Sequence, residues 1–422
     1  MNLLESLNPK QREAVELPAE HALILAGAGS GKTRVLTTRI AWLLSNSKAY
    51  PSQILAVTFT NKAAREMKTR LEAMLGTDIS SMWVGTFHAI AHRLLRAHAT
   101  EAGLPKTFQI IDQSDQLSLI KRVMKEAGIN PDENDPKSVQ AAINHAKERG
   151  LRASDISAGF GKNEVLRGIY AAYEGRCRRE GLVDFAELLL ACVELLEKNP
   201  LLREHYAKRF KFILVDEFQD TNALQYRWIK VLSHPAEHTS AVFCVGDDDQ
   251  SIYAFRGARV GNMADFVREY QVKHIVKLEQ NYRSTSHILN AANAVISHNK
   301  DRMGKNLWTS AGQGAPVALY HAGDDREEAL SVVQEIMSRH RSGARYSDCA
   351  VLYRNNAQSR IIEQYLTVNA VPYRIYGGLR FFDRQEVKDV MAYLRLLVNP
   401  DDVSFQRVIN QPPRGIGQTT LA

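Results

Sequence analysis

A chain of 422 residues, 45% hydrophobic and 24% charged, is too long for one typical domain and long enough for several cores of ordinary size. Its 54 Lys+Arg against 47 Asp+Glu leave a net charge of +7, which fits a polyanionic partner but equally a merely basic soluble surface. Four widely spaced cysteines without a C-x-x-C pair suggest neither a zinc site nor a disulfide framework, no signal-peptide order opens the chain and no apolar run approaches a membrane span, so a cytoplasmic protein with reduced thiols and no membrane partner is expected.

In chain order, HALILAG (21–27) and QILAVTFT (53–60) predict buried strands, each followed by a helix, the first from Lys32 and the second from Asn61. That is the rhythm of a parallel α/β sheet. From about Ala89 to Arg209 helical periodicity takes over, most clearly in LVDFAELLLACVELLEK (182–198), and no strand is predicted there. KFILV (211–215), AVFCVG (241–246) and HIVKL (274–278) resume the buried-strand signature, so the helical stretch reads as an insertion into one sheet domain. A second α/β series is predicted after Tyr282, with strands at PVALYHA (316–322), CAVLYR (349–354) and PYRIYGG (372–378). From Gln385 the pattern is helical again, and the chain ends soon after a Pro-Pro-Arg-Gly-Ile-Gly turn.

Residues 26–33 read A-G-A-G-S-G-K-T between an apolar run and a helix. Backbone N–H groups of Ala28, Gly29, Ser30 and Gly31 can surround phosphate oxygens there because few side chains intrude, and the helix that follows presents its positive end to the same anion. Lys32 would reach the β- and γ-phosphates and Thr33 would bind Mg²⁺ through its hydroxyl. Ala26 stands where the pattern has its first glycine, so that turn must be one an alanine can adopt. A P-loop needs an acidic partner, and KFILVDEFQD (211–220) supplies Asp216 to hold Mg²⁺ through water and Glu217 to polarise the attacking water. ATP and Mg²⁺ are the expected ligands.

Further segments extend this pattern over nearly the whole chain: Gln11 in LNPKQREAV, TFTNKAAREM (58–67), VGTFHAIAHRLLR (84–96), LVDFAELLL (182–190), VDEFQD (215–220), GDDDQSIYAFRGA (246–258), LEQNYRS (278–284) and YRIYGGLRFFDRQEVKD (373–389). In kind and order they resemble the UvrD-like helicases of superfamily one, the UvrD/PcrA/Rep family, and the wording WVGTFHAIAHRLLRAH is nearest to the UvrD branch. The resemblance implies adenine recognition by Gln11, packing of Tyr282 and Arg34 around base and sugar, γ-phosphate sensing by Gln250 and an arginine finger at Arg283. It also implies the fold and its divisions. A first RecA-like ATP-binding domain would span 1–88 and 210–281, with an all-helical insertion over 89–209. An incomplete second RecA-like domain would occupy 282–378, and the start of a mobile helical domain 379–422.

A translocating enzyme must grip one strand without reading its sequence, through aromatic platforms along a basic groove. The resemblance assigns such contacts to Phe59, His88, Tyr253 and Phe255, although each alone reads as readily as a core or surface aromatic. Phe255 stands where this branch commonly has tryptophan. Asn61, Arg256 and Arg354 are expected at phosphate or sugar, Arg354 being as readily a solvated surface residue. Gly415 and Gly417 could offer backbone N–H groups to a phosphate, or belong to a plain loop.

The expected function is ATP-dependent 3′–5′ movement on single-stranded DNA and at single/double-strand junctions, with strand displacement in nucleotide excision and mismatch repair beside repair proteins. Because a further glycine-rich motif and a second catalytic arginine are not found, the chain reads as an N-terminal fragment that would not unwind duplex. The alternatives are a non-catalytic nucleotide- and DNA-binding fragment, a Rep/PcrA-type replication helicase and the helicase subunit of a recombination nuclease, the last lacking a nuclease-type carboxylate cluster. The long ordered motif set disfavours a small-molecule P-loop kinase.

Overall fold

The computed structural model describes residues 3–156, 162–233, 240–300, 302–376, 385–398 and 401–416, without the side chains of residues 162, 256 and 403. They form two compact units, Met1–Pro316 and Val317–Ala422.

In the first unit the strands are β1 (Ala22–Ala26), β2 (Ile54–Thr58), β3 (Trp83–Thr86), β4 (Gln109–Ile110), β5 (Leu182–Val183), β6 (Phe212–Val215), β7 (Ala241–Gly246) and β8 (His274–Leu278). Six of them make one sheet in the order β3-β2-β6-β7-β1-β8, and every pair in it is parallel. Strands with both faces covered read as continuous apolar runs, which is why the sequence exposed them. The two faces still separate by parity. Leu23, Leu25, Leu55, Val57, Ile213, Val215, Val242 and Cys244 join one core, while Ala22, Ile24, Ala26, Ile54, Ala56, Phe212, Leu214, Phe243 and Val245 join the other.

The second of these cores is completed by α1 (Pro9–Glu16), α2 (Lys32–Ser45) and α3 (Asn61–Leu75). The first is completed by α4 (Phe87–Ala97) and by helices of the long excursion between β3 and β6. That excursion contains α5 (Gln113–Glu126), α6 (Pro136–Glu148), α7 (Lys162–Glu180), α8 (Phe185–Lys198) and α9 (Pro200–Arg209). It is not wholly helical, since β4 and β5 pair in parallel, a strand pair of two residues each that is too short for any periodicity to announce. Its helices meet on a buried ionic knot. Lys147 of α6 lies 2.6 Å from Asp184 and 2.8 Å from Glu187, and Arg152 contacts Glu174, Glu187 and Glu194. Asp184 accepts from the Tyr173 hydroxyl at 2.7 Å and caps α8 through the Glu187 N–H at 2.8 Å, which gives the acidic residue of LVDF a structural use.

The chain then adds α10 (Ala223–Ser233), α11 (Gly261–Glu269) and α12 (Ser286–Ile296) to the first unit. The second unit contains α13 (Asp325–Arg341), α14 (Ser359–Val368), α15 (Gln385–Val398) and α16 (Asp402–Val408), with a small core of Val333, Leu366 and Val371. The strands expected at 316–322, 349–354 and 372–378 are not paired among the described residues, and residues 377 and 378 lie outside these. An extended apolar run becomes a strand only when a neighbour takes up its N–H and C=O groups, and here Leu319 and Leu352 are 98% and 89% exposed. The α/β class with a parallel central sheet and many helices is the one expected. No described helix is long and apolar enough to cross a membrane.

Candidate nucleotide site and nucleic-acid track

Because every strand of the sheet runs the same way, the segments that leave β1, β6 and β7 emerge at one edge, where ligands of open α/β sheets gather. The register sets Leu25 beside Gly246 and Val215 beside Cys244, so the P-loop, Asp216 and Asp247 begin side by side.

The P-loop has left-handed backbone at Gly29 (φ +66°) and at Gly31 (φ +90°), the residue that opens α2. Only glycine takes this conformation without strain. Ser30 is buried and its hydroxyl donates to the Gly27 carbonyl at 2.7 Å. Gln11, held in a capping box with Asn8, donates through Nε2 to the Ser30 carbonyl at 2.8 Å. Arg34 donates to the Ser6 carbonyl at 2.8 Å.

Lys32 Nζ is buried 3.3 Å from Glu217 Oε2 and 4.0 Å from Asp247 Oδ2, yet it makes no hydrogen bond among the described residues. A buried ammonium without a hydrogen-bond acceptor is costly, and an anionic oxygen at the head of the loop would satisfy it. Asp216 is buried, and that burial, reinforced by adjacent Glu217 against the opposing pull of Lys32, pushes its carboxyl up to about 7. Asp220 is pushed up to about 6 by burial and then by Glu217, and its Oδ1 also lacks a partner. Glu217, Asp247, Asp216 and Asp220, four carboxylates around one lysine, suit a bound cation, which would hold them ionised. Glu217 itself takes a left-handed backbone, φ +50°, at the turn out of β6. Its Oε2 accepts from Gln219 Nε2 at 2.8 Å.

Ala28, Gly29, Gly31, Lys32, Thr33, Arg34, Arg70, Glu217, Gln250, Tyr282 and Arg283 line one cleft of about 520 Å³. Most of the expected nucleotide-site residues are thus together. Arg70 of α3 was not expected, and its motif segment ends three residues earlier in the chain, so no local pattern marks it. Asn281 is a second addition. Its Nδ2 donates to the Ala28 carbonyl at 2.6 Å, and its Oδ1 accepts from the N–H groups of Arg283 and Ser284 at 2.8 and 2.7 Å. Tyr282 N–H donates to the Gly29 carbonyl at 3.0 Å, and the residue, 52% exposed, lines the cleft. Gln250 is turned by a hydrogen bond from its Nε2 to Asp247 Oδ2.

Of the residues expected on DNA, Phe59, Tyr253 and Phe255 form a run, with ring centroids 5.2 and 6.0 Å apart and Phe255 77% exposed. Asn61 is exposed at the start of α3. His88 instead pairs edge-on with Phe185 of α8 at 6.2 Å, and burial lowers its pKa. The Arg256 side chain and all of Gly417 lie outside the described residues. Arg354 and Gly415 belong to the second unit. Arg354 is exposed there, its N–H donating to Gln358 Oε1 at 2.9 Å, and Gly415 has φ +70° in a turn that Arg414 ties to the Val408 carbonyl at 2.7 Å.

The chain is similar to known proteins along its length. Residues 7–271 match the UvrD/REP helicase N-terminal domain and residues 276–422 the UvrD-like helicase C-terminal domain. The chain is 52% identical over 421 residues to DNA helicase II of Escherichia coli, covering 99% of this chain and 58% of that protein. It is 44% identical over 423 residues to the ATP-dependent DNA helicase PcrA of Bacillus subtilis, covering 99% of this chain and 57% of that protein. The chain therefore spans less than two thirds of the length of these relatives. With both family domains matched along its length, the chain belongs to the UvrD-like DNA helicase family.

Proposed function

We propose that this chain carries the nucleotide site and part of the DNA track of an ATP-driven 3′–5′ helicase that moves on single-stranded DNA and opens single/double-strand junctions during nucleotide excision and mismatch repair. The observation that carries this reading is Lys32, a buried ammonium without a hydrogen-bond partner at the head of a glycine cradle and opposite carboxylates. Gly29, Ser30 and Gly31 would hold phosphate oxygens by their N–H groups, and Lys32 would leave Glu217 for the β- and γ-phosphates. Thr33 and Asp216 would hold Mg²⁺, which when bound neutralises phosphate charge. Glu217 would take the proton of the attacking water, Gln250 would report the γ-phosphate through Asp247, and Arg283 would stabilise charge at the transferring phosphorus. Gln11, Arg34 and Tyr282 would seat the base and sugar.

The domain division that fits this work is 1–88 with 210–281, 89–209, 282–378 and 379–422. Repair proteins are the partners that this reading expects. Cytoplasmic location agrees with four free cysteines. ATP hydrolysis by the 422-residue chain, with and without single-stranded DNA and beside Lys32→Ala, tests the reading. DNA-stimulated turnover lost in Lys32→Ala is expected. Lys32-dependent nucleotide binding without turnover would instead favour a binding chain that does no chemistry by itself.

A further inference from the structure

Asp247, Asp248 and Asp249 bring carboxylate oxygens within 4.8 Å of one another, close enough for all three to share one cation. Here the centre is filled by Lys305. Its Nζ lies 2.7 Å from Asp247 Oδ1, 2.5 Å from Asp248 Oδ1 and 2.7 Å from Asp249 Oδ2, and its side chain is 2% exposed. Arg302 adds a two-pronged contact to Asp249, with Nε at 2.8 Å and Nη2 at 2.7 Å, and the Met303 N–H donates to Asp248 Oδ2 at 2.7 Å. Burial opposes the charge on Lys305, yet the surrounding aspartates hold its pKa above the ordinary lysine value.

The segment that brings Lys305 also touches the rest of the nucleotide site. Leu307 lies against Gly27, where an added Cβ would stand 2.1 Å from its Cδ2. Trp308 N–H donates to the Glu279 carbonyl at 3.1 Å, and its own carbonyl accepts from the N–H of Asn281 at 2.8 Å, the residue that holds Ala28 and Arg283. Asp247 accepts from Gln250 through Oδ2 while Oδ1 meets Lys305, and the same Oδ2 faces Lys32 at 4.0 Å.

We propose that Lys305 is a positioning residue of this site: its ammonium takes the place of a cation among Asp247, Asp248 and Asp249, and by fixing Asp247 it sets the orientation of Gln250 and the surroundings of Lys32. The kinetic part of this rests on the ATPase reading above; the geometric part does not.

Two measurements separate them. In the nucleotide-free chain, amide hydrogen exchange at Asp249 and Gln250, whose N–H groups donate to Asp247, should quicken about tenfold or more in Lys305→Ala, with the β1 and β6 amides unchanged. Unchanged exchange at Asp249 and Gln250 overturns the proposal whatever the chain hydrolyses. In turnover, Lys305→Ala should lower kcat about tenfold or more while KM for ATP moves less than about threefold. Added n-propylammonium, the methylenes and ammonium that the substitution removes, should restore part of that kcat. The charge-balanced pair Lys305→Met with Asp248→Asn guards against loss of folding. A positioning role keeps its kcat low because Asp247 still lacks its ion pair, whereas recovery to the parent kcat would show that Lys305 only offsets charge, and would overturn the proposal. Turnover absent from the parent chain would retire the ATPase reading alone and leave the exchange measurement to decide on Lys305.

Discussion

At Gly29 two obstacles to a side chain coincide. Its φ is +66°, and an added Cβ would lie 2.6 Å from Asn281 Nδ2 and 2.8 Å from Arg283 Cβ. The left-handed backbone alone disfavours an L residue by about 1–2 kcal/mol, and the clash falls on the residues that hold Ala28 and carry the proposed finger. Gly29→Ala should weaken nucleotide binding by about tenfold or more, read by titration with a fluorescent nucleotide. An affinity within about twofold of the parent would mean that the cradle gives way easily. Tyr253 sits between Phe59 and Phe255, so its removal interrupts the aromatic run at its middle. Stacking contributes about 1–3 kcal/mol per base, and Tyr253→Ala should therefore cost about 5- to 150-fold in affinity for single-stranded DNA at fixed salt. Nucleotide affinity measured on the same preparation should not move. Loss of both would point to a folding defect instead.

Buried cations as well as apolar faces hold helices in place here. Arg39 of α2 donates to the carbonyls of Val15 at 3.0 Å, Leu17 at 2.9 Å and Pro18 at 3.0 Å, which satisfies the C-terminal end of α1, the helix that carries Gln11. Burial lowers its pKa to about 10, and its guanidinium lies 4.7 Å above the Phe243 ring. Arg39→Met would strand those carbonyls at a cost of about 1–3 kcal/mol or more, visible as a lower urea midpoint, and it should raise KM for ATP through the displaced Gln11. An unchanged midpoint would show that α1 is held by its apolar contacts alone. In the insertion, burial would raise the Glu187 carboxyl, but Lys147 and then Arg152 outweigh it and hold the pKa at about 2. A depressed carboxyl stabilises the fold fully above its unfolded pKa of about 4.3 and loses that contribution as pH falls through the folded value. Stability on the order of 3 kcal/mol should therefore disappear between about pH 4.5 and pH 2. Urea unfolding at pH 5 and pH 3 tests this, the parent losing more than Glu187→Gln over that interval. Equal losses would place the acid sensitivity elsewhere. None of these cations was legible in the sequence, because Arg39, Lys147 and Lys305 meet partners that lie far along the chain and share no spacing with them. The place of Gly29, Lys32, Asp216 and Glu217 at one sheet edge was legible because a glycine-rich turn and an acidic strand end each lie within one short segment. Runs such as PVALYHA show the converse: an apolar pattern states that a segment wants cover, and the partner that would supply a ladder is not written in it.

For the molecule as a whole, the net charge of +7 gives the proposed DNA track a prediction of its own. If about four phosphates are met by cations, the logarithm of affinity for single-stranded DNA should fall against the logarithm of salt with a slope of about −3. A slope near zero would remove the polyanion reading of the charge and leave only a solvated surface. The parity of the sheet strands has a consequence of another kind. Alternate residues of each strand answer to different neighbours: Leu23, Leu55, Ile213 and Val242 to the side that α4 and α8 cover, Ile24, Ala56, Leu214 and Phe243 to the side of α1, α2 and α3. The sheet is thus a wall with two tenants. A lineage could remodel the insertion and retune one set of alternate positions while the other set, on which the P-loop helix rests, stayed as it was. Divergence within such a protein should then run in stripes, every second strand residue drifting with the insertion and the ones between them keeping the company of the nucleotide.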